Sequence, residues 1–252
     1  MEYLVIPLFF GISFVFSMLG MGGSQLYVPI LFWLGMDFKT QAIPLGMLLN
    51  VVNTSSAAFT YGRKNLINWR VALPFGIAMV VFAPLGAMVN ATLPTSSLIL
   101  VFALFTAMAA ILMLRGKQAK ESLVSTSRSR LTLGLAGGSG LGFIAGLIGR
   151  GGGSFVVPLL YMAGIEAKAA AATSSLVVTF SGVSSFTSHV LMEASPVWHI
   201  WLMSAGAVLA GSQLGSRFMA ARLHPRQVKR VFGVILLCIS AMLILKDVLG
   251  LW

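Results

Sequence analysis

Residues 3–36 and 131–165 are apolar runs, each broken by a glycine cluster a few residues before a proline. This paired feature limits the folds open to the chain. A straight helix over 3–36 would extend about 50 Å, against a bilayer core of about 30 Å. Glycine inside a helix costs about 1 kcal/mol relative to alanine and frees the backbone. Each run is therefore either a broken helix that crosses or a hairpin of two short arms that turns back.

The rest of the chain is equally apolar. Further apolar segments cover 41–62, 70–90, 95–115, 169–191, 197–216 and 228–250. Only 9% of the residues are charged, against about 25% in a soluble domain, which makes this a polytopic membrane chain of the all-α class. The start, Met-Glu-Tyr-Leu, lacks the basic stretch of a cleaved signal peptide and reads as part of the mature chain. Cys238 is the single cysteine, and three scattered histidines form no metal-ligand pattern, so no cofactor or metal is expected. The net charge of +11 arises from Lys and Arg between the apolar segments. That is the placement of cytoplasmic loops rather than of a nucleic-acid-binding face.

The sequence repeats itself at an offset of 129. Gly20-Met21-Gly22-Gly23-Ser24-Gln25 aligns with Gly149-Arg150-Gly151-Gly152-Gly153-Ser154, and Pro29 with Pro158. The register then holds without a gap: Gly35 meets Gly164, Lys39 meets Lys168, Ser55-Ser56 meets Ser184-Ser185, Trp69 meets Trp198, and Leu85-Gly86 meets Leu214-Gly215. One offset kept across four segments marks an internal duplication. The expected division is 1–115 for the first repeat, a polar cytoplasmic linker at 116–130, and 131–252 for the second repeat.

Charge distribution chooses between the two forms of the broken runs. If every segment crosses, the loop cations divide seven against nine, which is no bias. If 3–36 and 131–165 each return to the side they left, fourteen cations share one side and only Lys39 and Lys246 lie opposite. Cytoplasmic loops collect Lys and Arg, so the hairpin form is favoured. Each repeat is then one re-entrant hairpin plus three transmembrane helices, the second repeat is inverted, and both termini lie outside the cytoplasm.

Non-helical backbone survives at membrane depth only where it is buried in protein or lines a wet cavity. Two related glycine breaks therefore point to one central site. The second arms begin near Ser24 and Ser154, and each helix N-terminus offers unpaired N–H groups and partial positive charge. Close helix packing is the other use of such glycines; their recurrence at one place in both halves favours the site. Arg150 stands in the second break where Met21 stands in the first. A basic side chain at membrane depth is costly and usually functional, and a guanidinium forks onto an oxyanion. The alternative for Arg150 is snorkelling or carbonyl capping at the hairpin tip. A polar stripe follows each hairpin. Asn50, Asn53, Thr54, Ser55 and Ser56 run opposite Thr179, Ser181, Ser184, Ser185 and His189. Asn50, Asn53 and Ser185 are the preferred site residues there, and the others suit interhelical hydrogen bonds. The candidate substrate-binding set is Gly22, Gly23, Ser24, Gln25, Asn50, Asn53, Arg150, Gly151, Gly152, Gly153, Ser154 and Ser185. The six acidic residues all fall at segment ends or loops, which favours an anion as the partner of Arg150. No phosphate-binding loop is present, which argues against ATP-driven transport by this chain alone.

The paired motifs Gly20-Met-Gly-Gly-Ser with Pro29 and Gly149-Arg-Gly-Gly-Gly with Pro158 resemble those of the TauE/SafE family of sulfite and organosulfonate exporters. The resemblance covers essentially the whole chain, including its length and duplication. It implies a secondary transporter of small sulfur-containing anions in a prokaryotic cytoplasmic membrane. Ser24 replaces the third glycine of the first motif, and Arg150 occupies a position more often apolar in the family. The expected mechanism is alternating access of the inverted halves around a central site. A passive anion channel is a closer rival than an enzyme. The enzyme reading, an intramembrane serine protease, would rest on Gly137-Gly138-Ser139-Gly140 with His189. Ser139 pairs with Phe10 and has no place in the repeat, so a non-enzymatic transporter is expected.

Overall fold

A computed structural model of the chain describes residues 5–92, 95–115, 126–148, 153–193, 198–243 and 245. Among these residues all regular structure is helical. The first half contains α1 (Val5–Leu19), α2 (Ser24–Trp33), α3 (Ile43–Arg63), α4 (Trp69–Thr92) and α5 (Thr95–Arg115), with a π-helical turn at Phe38–Ala42 ahead of α3. The second half contains α6 (Ser127–Thr132), a π-helical turn at Leu133–Gly137, α7 (Gly138–Ile148), α8 (Gly153–Met162), α9 (Ala167–Glu193), α10 (Trp198–Arg222) and α11 (Pro225–Leu243). The start of α2 and the start of α8, like those of α4 and α10, are separated by the same 129 residues found in the sequence. Gly35 and Gly164 close the two short arms with φ of 88° and 96°, a left-handed stop that glycine adopts without strain.

Each long apolar run divides at its glycines and turns back. In the first, the Tyr27 ring of α2 lies edge-on to Phe9 of α1, with 5.0 Å between centroids. Eighteen residues of continuous helix would hold those two about 27 Å apart. In the second, a Cβ placed on Gly137, just ahead of α7, would sit 2.9 Å from the Leu159 side chain of α8. Pro29 and Pro158 lie within α2 and α8. Neither can donate to the carbonyl four residues before it, at Gln25 and Ser154, so each short arm is weakened near its start.

The halves interlock. α1 packs on α10, and α7 packs on α4, so each first arm rests on the helix of the other half that starts at the aligned tryptophan, Trp198 or Trp69. These contacts are made by small residues. Gly138, Gly142 and Gly146 of α7 press on Phe75, Met79 and Ala83 of α4. Gly211 and Gly215 of α10 press on the carbonyls of Phe10 and Phe14 of α1. The equivalent of Gly215, Gly86, meets the carbonyl of Phe143, the equivalent of Phe14. A side chain at any of these positions would enter the neighbouring backbone, which is how glycine stripes bring membrane helices together. The pairs α3·α9 and α5·α11 join equivalent helices from the two halves.

The burial pattern differs from that of a soluble protein, with polar side chains inside an apolar core and large apolar ones outside. Ser13, Ser17, Asn50, Asn53, Ser174, Ser212 and Ser216 are buried, whereas Ile77 is 60% exposed and Leu202 70% exposed. Extensive exposed apolar surface is unstable in water and suited to lipid. Three helical stretches, Thr40–Arg63, Trp69–Val89 and Ala167–Thr187, are long and apolar enough to cross a membrane by length and composition. α10 is longer than these, at 25 residues. Its serines at 204, 212 and 216 turn inward and Leu202, Leu209 and Leu214 turn outward. The chain is a polytopic, all-helical membrane protein.

Candidate functional site

The first glycine break sits against the middle of α3. Gly20, Gly22 and Gly23 have φ of 68°, 89° and 95°. These left-handed values fit glycine and turn α1 into α2 within four residues. Side-chain donors take three carbonyls across this turn. The Tyr61 hydroxyl of α3 donates to the Ser17 carbonyl at 2.7 Å. The Ser174 hydroxyl of α9 donates to the Gly20 carbonyl at 2.9 Å. The Asn53 amide Nδ2 donates to the Gly22 carbonyl at 2.6 Å. These are the acceptors left over at the end of a helix, and neutral protein groups satisfy them here. The other side of the turn differs: Gly23 is the N-cap of α2 and supplies no side-chain cap. The break is thus tied down on its carbonyl side and presents the positive end of α2.

Asn50 completes this centre. Its side chain is fully buried, and neither Oδ1 nor Nδ2 has a protein hydrogen-bond partner. It lies between the two halves. A Cβ on Gly22 would collide with its Oδ1, and a Cβ on Gly182 of α9 would be 3.2 Å from its Nδ2. An orphaned buried polar group costs about 1–3 kcal/mol, so a fully buried amide with both ends open stands ready for a ligand or water. The Asn53 Oδ1 is also unpartnered. Ser24 and Gln25 are fully buried beside this centre.

Six of the sequence candidates therefore converge: Gly22, Gly23, Ser24, Gln25, Asn50 and Asn53. Ser185 is buried on α9, one turn beyond Gly182. Gly153 and Ser154 begin α8, the counterpart of α2. Arg150, Gly151 and Gly152 lie outside the described residues, as does the side chain of His189. The Ser139 hydroxyl donates to the Leu135 carbonyl one turn earlier in its own helical segment, at 2.7 Å.

Sequence reading passed over several participants. Gly182 of α9 packs closely against Asn50 and Val51. Ser212 of α10 donates to the Asn53 carbonyl at 2.7 Å. Gln213 Nε2 donates to the Ser56 hydroxyl at 2.6 Å. Their signal is the adjacent polar pair Ser212-Gln213 within the apolar segment 197–216. A larger cavity of about 680 Å³ opens elsewhere, beside Tyr161, Glu166, His224 and Lys229. It lies at the far end of α8 from the second break, and its lining mixes Glu166 with Arg226 and Lys229.

The family profile described as Sulfite exporter TauE/SafE matches residues 5–243. The chain is 24% identical to the probable membrane transporter protein YunE of Bacillus subtilis strain 168, over 92% of this chain and 93% of that protein. It is 25% identical to the probable membrane transporter protein MJ0441 of Methanocaldococcus jannaschii, again over 92% and 93%. A probable membrane transporter protein of Haemophilus influenzae is 26% identical, over 91% of this chain and 90% of its own length. No solved structure matches the chain. On the match of nearly its whole length, the chain belongs to the TauE/SafE family of membrane transporters.

Proposed function

We propose that the chain is a secondary transporter of a small sulfur-containing oxyanion, such as sulfite or a sulfonate, and that it works by alternating access of two inverted halves. The observation that carries this reading is Asn50. Its buried, unpartnered amide lies at the uncapped start of α2 and between the two halves. A helix N-terminus favours an anion. A neutral amide adds a donor without the cost of burying a full charge. It also offers an acceptor to an oxyanion that carries a hydroxyl. Arg150 is assigned to the same site from the second break, where it would neutralise the charge.

Contacts between equivalent helices support the inverted arrangement. Gly182, in the middle of α9, lies against Asn50 and Val51 in the middle of α3. The backbone N–H of Asn68, beyond the end of α3, takes the Thr173 hydroxyl near the start of α9 at 3.0 Å. Equivalent helices that cross at their middles and meet end to start run in opposite directions. Trp69 and Trp198, at the starts of α4 and α10, are both exposed, as interfacial tryptophans are. The repeats, at 1–115 and 131–252, would then meet the membrane from opposite sides, with the linker at 116–130 in the cytoplasm.

The test is counterflow in proteoliposomes loaded with sulfite or ethanesulfonate. Saturable exchange of labelled anion is expected. Conductance at channel rates, or no flux of either anion, would contradict the proposal.

A further inference from the structure

A second cavity, of about 340 Å³, lies between α3 and α10. Arg63, Lys64 and Arg217 line its mouth, with Thr60 and Gln213 further in. None of its described lining residues is acidic. The Arg63 guanidinium lies over the Phe59 ring, 5.1 Å from its centroid, which holds one cation at the rim. Inward from the mouth, polar groups follow one another in two hydrogen-bonded sets. Thr60 donates to Gln213 Oε1 at 3.5 Å, Gln213 donates to the Ser56 hydroxyl, and Ser212 donates to the Asn53 carbonyl. On α3 these positions, Asn50, Asn53, Ser56, Thr60 and Arg63, recur every three or four residues and form one face of the helix. The stripe ends at the unpartnered amide of Asn50.

We infer that the α3–α10 cleft is an anion-selective vestibule that loads the central site from the face bearing Arg63, Lys64 and Arg217. This inference rests on the oxyanion site proposed above. Three cations around a low-dielectric cleft raise the local anion concentration and the rate of encounter. The hydroxyl and amide groups then offer exchangeable partners along the way inward.

The duplicated half does not repeat the device. At the offset of 129, Arg63 corresponds to Met192, Lys64 to Glu193 and Arg217 to Met88. Two cations are replaced by methionine and one by an acid, whereas Ser56 keeps its serine at Ser185. The polar interior is thus shared in part while the basic mouth belongs to one face. The charge count of the loops places that face in the cytoplasm.

Thiol labelling separates the vestibule from the site. In a Cys238→Ser background, Thr60→Cys in inside-out vesicles is treated with small thiosulfonate reagents of opposite charge. The expected result is that the anionic reagent reacts at least about tenfold faster than the cationic one. High salt should shrink the preference. The double variant Arg63→Gln/Arg217→Gln should abolish it, and ethanesulfonate should slow the reaction. Equal rates for the two reagents, or faster labelling from the opposite face, would overturn the vestibule. A charge preference without protection by ethanesulfonate would keep the vestibule and overturn the oxyanion site. Ala221→Cys, at the exposed rim, replaces Thr60→Cys if the latter does not accumulate, and must show the same charge preference.

Discussion

The two glycine breaks align at an offset of 129 yet are chemically unlike. In the first, Tyr61, Ser174 and Asn53 take the carbonyls of Ser17, Gly20 and Gly22. At the offset of 129, these three donors become Val190, Leu45 and Gly182, none of which has a side-chain donor. Asn50 becomes Thr179, whose hydroxyl donates to the Ser175 carbonyl in its own helix. Met21, fully buried in the first break, becomes Arg150 in the second. One break is thus held by neutral donors and carries an open amide. At the aligned positions the other has no such donors and carries a basic residue, Arg150.

The comparison breaks most easily at the charge. Arg150→Ala should abolish sulfite or sulfonate transport at normal expression, and unchanged transport would remove Arg150 from the site. Arg150→Met makes the second break resemble the first and should lose transport equally.

The amide should come next. Asn50→Leu removes a donor to a charged ligand, a contribution of about 1.5–3 kcal/mol, and should raise KM roughly 10- to 150-fold by that constant. It also removes an orphaned polar group, so the empty variant should melt no lower than the parent. A lower melting temperature with unaltered KM would make Asn50 a structural residue.

Tyr61→Phe tests the tied side of the first break. It leaves the Ser17 carbonyl with only the longer bond from the Gly20 N–H, at 3.3 Å, and should cost about 0.5–1.5 kcal/mol of stability, read from denaturation in detergent. Its effect on transport should be smaller than that of Asn50→Leu. Ser139→Ala should change neither transport nor stability measurably, because its hydroxyl serves only its own helical segment. Loss of an activity-based fluorophosphonate label in that variant would instead favour a hydrolase.

Much of this was legible in the sequence, for a physical reason. A glycine cluster in an apolar run, or an asparagine inside a transmembrane segment, violates the rule of its surroundings and is visible without knowing its neighbours. Gly22, Gly23, Asn50 and Asn53 stand out that way, and the offset of 129 recurs between the starts of α2 and α8 and of α4 and α10. What stayed hidden was partnership. The glycines of α7 and α10 show that a face is small, but not that each packs on the opposite half. Ser174 was visible as a polar residue at the start of a helix, but nothing local connects it with the Gly20 carbonyl, 154 residues earlier. The vestibule was hidden for the same reason, because Arg63 and Arg217 meet only through the packing of α3 on α10.

The most direct measurement is the thermal stability of the purified protein and its Asn50→Leu variant, with sulfite, ethanesulfonate, sulfate and thiosulfate at constant ionic strength. An anion that binds the native state at 100 times its Kd stabilises by about 2.7 kcal/mol. The expected result is a rise in Tm for the parent with sulfite or ethanesulfonate, greatly reduced in Asn50→Leu. No rise with any of the four anions, or an equal rise in both proteins, would contradict an oxyanion site at the first glycine break.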